Sequence, residues 1–108
     1  MKVEIQSIHF DADKKLLEFI TKKVEKVNTF FEGISSIDVY LRLEKDVEKN
    51  NKSVEIKLNV PGNQIFVKEN ASTFETATDF AIDKVKAQVK KHKERIQEKN
   101  LKKKSSDS

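Results

Sequence analysis

The chain changes its hydrophobic period several times, and each change marks an element. Over residues 2–8, Val3 and Ile5 alternate with Lys2, Glu4 and Gln6, the period of two expected of a strand. Asp11 and Asp13 follow, with side-chain oxygens able to accept from the free N–H groups of a starting helix. From about 14 to 31 the apolar spacing is helical: Leu16, Phe19, Ile20, Val24, Val27 and Phe31. Gly33 is placed to cap that helix at its C-terminus.

Three alternating runs come next. Ile37, Val39, Leu41 and Leu43 interleave with Asp38, Tyr40, Arg42 and Glu44, then a polar turn spans 46–52 around Asn50-Asn51. Val54, Ile56, Leu58 and Val60 interleave with Glu55, Lys57 and Asn59. Pro61-Gly62-Asn63 predicts a tight turn onto a strand over 64–69, with Ile65 and Val67 inward and Phe66 and Lys68 outward. The last element is a long helix, capped by Ser72 or Thr73, with Glu75 in its first turn. Its apolar stripe is Phe74, Ala77, Ala81, Val85 and Val89, extended weakly by Ile96. The predicted order is β-α-β-β-β-α, an α+β fold: a four-stranded sheet with both helices packed on one face. A helix crossover between the first two strands makes a parallel pairing available to them.

Composition narrows the chemistry. The 108 residues suffice for one domain, and with zero Cys there is no thiolate ligand, disulfide or cysteine nucleophile. No apolar run is long enough to span a membrane, and the first residues lack a signal-peptide core, so a cytoplasmic location is expected. The two histidines, His9 and His92, stand in no metal-ligand spacing, and His92 falls on or near the core stripe. Capping accounts for Asp11 and Asp13. Asp79 and Asp83 lie one turn apart beside Lys84 and Lys86, an arrangement for surface ion pairs. No base, nucleophile and oxyanion donor come together, so we expect no enzyme, no cofactor, no metal and no small-molecule substrate.

Charge changes the picture most. The formal net charge is +4, yet residues 1–54 carry as many acids as bases. Residues 84–104 carry ten basic side chains against Glu94 and Glu98, a net of +8, leaving −4 for the remainder. At about 100° per residue, Lys84, Ala87, Lys91 and Arg95 share one stripe of the last helix, and Lys86, Lys90 and Lys93 lie on the other flank of its apolar stripe. The first helix adds Lys15, Lys22 and Lys26 on one stripe, with Lys23 nearby. A charge run by itself reads as a solvated face. Here, however, acids are not interleaved with the cations, and the crowded charge is self-repelling unless a polyanion neutralises it. Lysine supplies 20 of the 22 basic residues, which favours phosphate and shape recognition over base reading. Tyr40 and Phe66 on the open sheet face could stack on bases, and Phe80 falls outside the core stripe on the basic side. A protein–protein module built on Phe80 and the open sheet face is a separate reading.

Several segments together resemble the ribosome hibernation-promoting factor family, which includes the ribosome-associated inhibitor also called protein Y. The resemblance runs over about residues 2–96. It rests on the opening strand, the helix LLEFITKKVEKVNTFFEGI, the turn VPGNQIFV and, above all, ATDFAIDKVKAQVKKHKERI, which looks like the family's A-I-D…DKL-x-R-Q-L-x-K-H-K pattern. It implies a fold similar to the double-stranded-RNA-binding domain. It also implies a monomer when free that binds the small ribosomal subunit of the 70S ribosome at the decoding centre, where it blocks messenger and transfer RNA in stress or stationary phase. By position the resemblance implies Lys23, Lys26, Lys84, Lys91 and Lys93 as rRNA-binding residues; with Lys22, Lys86, Lys90 and Arg95 from the charge stripes, they form the set expected to act on ribosomal RNA phosphates. The chain departs from the pattern at Ala87, where the family has a cation before Gln88, and at Ser72-Thr73, where it often has an acid. Residues 1–98 are expected to be the ribosome-binding domain and 99–108 a flexible basic and polar tail. The length resembles a short form without the domain that pairs ribosomes. The alternative reading is a general RNA-binding module of the double-stranded-RNA-binding type.

Overall fold

A computed structural model describes residues 2–29, 31–45 and 48–106, with side chains described as far as residue 94. The strands are β1 (Lys2–Ile8), β2 (Ser36–Leu43), β3 (Lys52–Val60) and β4 (Asn63–Ala71), and the α-helices are α1 (Lys14–Glu25) and α2 (Phe74–Ser106). The predicted order β-α-β-β-β-α is the order observed. The sheet runs β1-β2-β3-β4, with β1 and β2 parallel and the other pairs antiparallel.

Alternation sorts the sheet into two faces. Ile37, Val39 and Leu41 pair in register with Leu58, Ile56 and Val54, and Leu58 and Ile56 with Ile65 and Val67, so their side chains form one apolar face. Ile20, Val24 and Val27 from the first helical segment and Phe74, Ala77, Ala81, Ile82, Val85 and Val89 from α2 close over it. The stripe of α2 is wider than the apolar residues first suggest: Ile82 and Thr78 are also buried, and the Thr78 hydroxyl donates to the Phe74 carbonyl at 2.7 Å. That backward bond satisfies the hydroxyl inside the helix and makes threonine tolerable there.

Local chemistry sets the helix ends. Asp13 caps α1, accepting from the Leu16 N–H at 2.8 Å. Thr73 caps α2, accepting from the Thr76 N–H at 3.1 Å. The predicted extent of α1 is corrected: the α-helix stops at Glu25 and a 3-10 helix carries the chain over Lys26–Thr29. Gly33 (φ +92°) therefore lies in the following loop and is not the cap. A 3-10 turn keeps Val27 buried, and the Thr29 hydroxyl binds the Lys26 carbonyl at 2.7 Å. β4 also runs two residues past the predicted strand, to Ala71, through register pairs Asn70↔Ser53 and Ala71↔Lys52.

The two helices run the same way along the sheet. Phe10, just before α1, stacks on Phe74 with ring centroids 5.0 Å apart. Farther along, Lys23 pairs with Asp79, and Phe31 meets the His92 ring edge-on at 5.7 Å. At 33 residues, α2 is roughly 50 Å long. Its backbone remains helical through residues 99–106, where a tail was predicted to begin. Gly and Pro are absent there, and Leu101 and the four lysines are good helix formers. Ile96 and Arg95 have side chains outside the described residues.

Candidate nucleic-acid interface

The buried stripe of α2 divides its lysines between two flanks. Residues two apart on a helix stand about 160° apart, so Lys84 and Lys86 cannot share a face. Two ion pairs fix which neighbour each flank meets. Lys84 reaches Glu69 of β4, so the Lys84 and Lys91 flank lies against the β4 edge. Asp79 reaches Lys23 of α1 at 3.2 Å, so the opposite flank faces α1.

The α1-facing flank gathers most of the predicted cations. Lys86 and Lys93 follow Asp79 at seven-residue steps, with Lys90 beside them. Lys93 ends over the Phe31 ring at 5.5 Å, past the end of α1. From the α1 side come Lys23, whose ammonium also sits 5.5 Å above the Phe19 ring, and Lys22 and Lys26 one turn apart on the solvent side of it. Of the nine predicted residues, Lys23 and Lys93 therefore meet this seam, Lys26, Lys86 and Lys90 stand on its outer side, and Lys22 lines a separate groove of α1 with Leu17, Thr21 and Glu25. Asp79 and Asp83 occupy its N-terminal half, so its positive character grows toward Lys93.

Lys84 and Lys91 stand on the other flank, away from the seam, and Arg95 lies outside the described side chains. The pairing of Asp79 also differs from expectation: its partner is Lys23 of α1, not a neighbour on its own helix. Lys84 bridges to Glu69, which the alternation of β4 turns toward the helices with Ile65 and Val67. Lys22, Lys26, Lys90 and Lys91 are exposed and make no ion pair among the described residues.

The opposite sheet face has another character. Arg42 pairs with Glu55 at 3.5 Å, Lys68 with Glu44 at 3.1 Å and Lys2 with Glu4 at 2.9 Å. Lys2 is thereby held above its ordinary pKa by the hydrogen bond and charge of Glu4. Lys57 lies 5.8 Å over the Tyr40 ring. An amide network links Asn59 to Ser36 (2.9 Å), Asp38 (3.3 Å) and Gln64 (2.8 Å). Both signs alternate there, so this face carries little net field. Phe66 and Phe80 stand half exposed, as their positions in the pattern predicted. Among the described residues no helix is long and apolar enough to cross a membrane.

A balanced sheet face backed by a lysine-bordered helical seam defines a small α+β protein with one basic side. The chain belongs to the family described as Sigma 54 modulation protein / S30EA ribosomal protein, whose model matches residues 3–97. It is 30% identical over 97 residues to the ribosome hibernation promoting factor of Pseudomonas putida, covering 90% of this chain and 91% of that protein. It is 28% identical over 98 residues to the ribosome hibernation promoting factor of Escherichia coli K12, covering 91% of this chain and 99% of that protein. The fold matches a ribosomal subunit interface protein of Coxiella burnetii with a TM-score of 0.76 at 22% identity, over 86% of this chain and 98% of that one.

Proposed function

We propose that this protein is a ribosome hibernation factor that binds the small ribosomal subunit at the decoding centre. It acts by steric occlusion: while bound, it excludes messenger and transfer RNA and so inhibits translation in stress or stationary phase. The observation that carries this reading is the seam between α1 and α2, with Lys23 and Lys93 at it and Lys26, Lys86 and Lys90 beside it, in a chain of this family; Lys22 adds charge on the outer face of α1. Lys84, Lys91 and Arg95 extend the contact along α2. Lysines act here as point charges on ribosomal RNA phosphates, which explains a basic side with a single arginine in the set. The protein works without cofactor or catalytic step, as a cytoplasmic monomer when free, and residues 1–98 are the part that binds.

Sedimentation with separated subunits and with 70S ribosomes tests this. The protein is expected to travel with small subunits and 70S particles at low salt and to leave them at high salt. It should also be retained when excess plain RNA duplex is added. Migration with large subunits alone overturns the site, and equal competition by duplex supports the general RNA-binding module instead.

A further inference from the structure

β4 is an edge strand, and α2 runs back alongside it. The Asn63 amide stands 3.4 Å from Nδ1 of His92 at one end, and Lys84 reaches Glu69 at the other. Between them lies a cleft of about 320 Å³, walled by residues 63–66 of the strand and by Gln88, Lys91 and His92 of the helix. The Gln64 and Phe66 side chains alternate with buried Ile65 and Val67 and lie on the opposite sheet face, so these two residues border the cleft with their backbone. We propose that an extended peptide segment adds to β4 along this edge as a fifth strand, with acidic side chains toward Gln88 and Lys91 and an apolar side chain beside Phe66. The proposal goes beyond the ribosome-binding reading and does not depend on it.

The backbone pairing fixes what this edge offers. The Asn59 carbonyl accepts from the Ser35 N–H at 2.8 Å, so Asn59 turns its backbone toward β2 and away from β4. Its register partner Gln64 then turns outward, and the Gln64 N–H accordingly donates to the Asn63 side chain at 2.8 Å. In an antiparallel pair this repeats at every second residue, so Phe66 and Lys68 also direct their N–H and C=O groups away from β3. Edge strands are commonly blunted by proline, a bulge or short length. β4 has nine residues, no proline and an unbroken register, and its Lys68 ammonium is drawn to Glu44 at 3.1 Å. A peptide strand supplies both the acceptors and the donors that such an edge lacks. RNA phosphates only accept, which leaves the outward carbonyls unserved. Side chains of the added strand alternate between the two faces. Those toward α2 meet Gln88 and Lys91, both exposed, and Lys91 has no ion pair among the described residues, so acids fit there. Those on the open face meet the Phe66 ring, which is 52% exposed and gains an apolar cross-strand neighbour.

The test uses the full chain and a fluorescein-labelled octapeptide of alternating glutamate and valine, read by fluorescence anisotropy at low salt. Phe66→Pro deletes one outward N–H and the ring without touching a bond to β3, and is expected to weaken binding by about threefold or more. Lys91→Gln should weaken it by about 2- to 5-fold, the loss of one exposed ion pair. The same peptide N-methylated at every residue keeps its side chains but loses its donors, and should not bind. Circular dichroism checks that Phe66→Pro keeps the fold, and the N-methylated peptide tests the claim on the unaltered protein. Equal binding of the N-methylated peptide overturns the proposal, as does unchanged affinity in a folded Phe66→Pro variant. Equal binding of an octapeptide of alternating lysine and valine overturns the acidic partner. A single-stranded RNA hexanucleotide that binds more tightly than the peptide and is weakened equally by Phe66→Pro gives the edge to RNA instead. Sedimentation of the free protein as a dimer that Phe66→Pro dissolves gives it to a second copy of this chain, and either result overturns the proposal.

Discussion

Asp79→Asn should make the protein bind RNA more tightly. The Asp79 carboxylate lies 3.2 Å from the Lys23 ammonium, and both side chains are more than a third exposed to solvent. Exposed pairs of this kind contribute about 0–1 kcal/mol to stability, so the variant should fold with at most that loss. Binding responds differently. A phosphate approaching the seam must displace Asp79 from Lys23 and tolerate its negative charge. Once the carboxylate is replaced by a neutral amide, Lys23 is available for a phosphate contact of its own. One added contact steepens the slope of log affinity against log salt by about 0.9. Over a fourfold change in salt, that slope corresponds to about a 3.5-fold larger affinity change for the variant than for the parent. The assay is a salt titration of small-subunit binding between about 50 and 200 mM, with a thermal melt of each protein beside it. An unchanged or weaker affinity with an unchanged slope refutes the reasoning, because it places the RNA away from the α1–α2 seam.

Other perturbations separate binding from folding. Reversing charge at Lys84 and Lys91 together should release the protein from small subunits in co-sedimentation; unchanged sedimentation counts against that flank. Leu58 of β3 is fully buried, so Leu58→Ala should cost about 2–5 kcal/mol in chemical denaturation. Thr73→Ala removes the hydroxyl that caps α2 and should cost about 1 kcal/mol, visible as a lower melting temperature. The Ser53 hydroxyl is buried without a hydrogen-bond partner among the described residues, so Ser53→Ala should raise stability by about 1 kcal/mol. A lower melting temperature for Ser53→Ala would show that the hydroxyl is satisfied.

Elements with strong periodicity were legible in the sequence, because burial of one face writes itself into the spacing. Ile37 to Leu43 and Val54 to Val60 alternate cleanly and are strands. The end of α1 was not legible, because Val27 and Phe31 continue an apolar spacing that one 3-10 turn satisfies as well as an α-turn. The last residues of β4 are Glu69, Asn70 and Ala71, and backbone pairing to β3, which leaves no hydrophobic signature, carries the strand through them. At the candidate site, the sequence placed the cations on the two helices and on opposite flanks of α2. It could not show that Lys23 meets Asp79 or that Lys84 meets Glu69, since these pairs join elements far apart in the chain. The contact between Asn63 and His92 escaped for the same reason: they are 29 positions apart and meet only after α2 docks on the sheet.

The most direct test of the central claim is the salt dependence of binding to isolated small ribosomal subunits. Roughly six phosphate contacts predict that affinity falls by about three orders of magnitude between 50 and 200 mM salt. An affinity that stays flat over that range would contradict an interface built from these lysines.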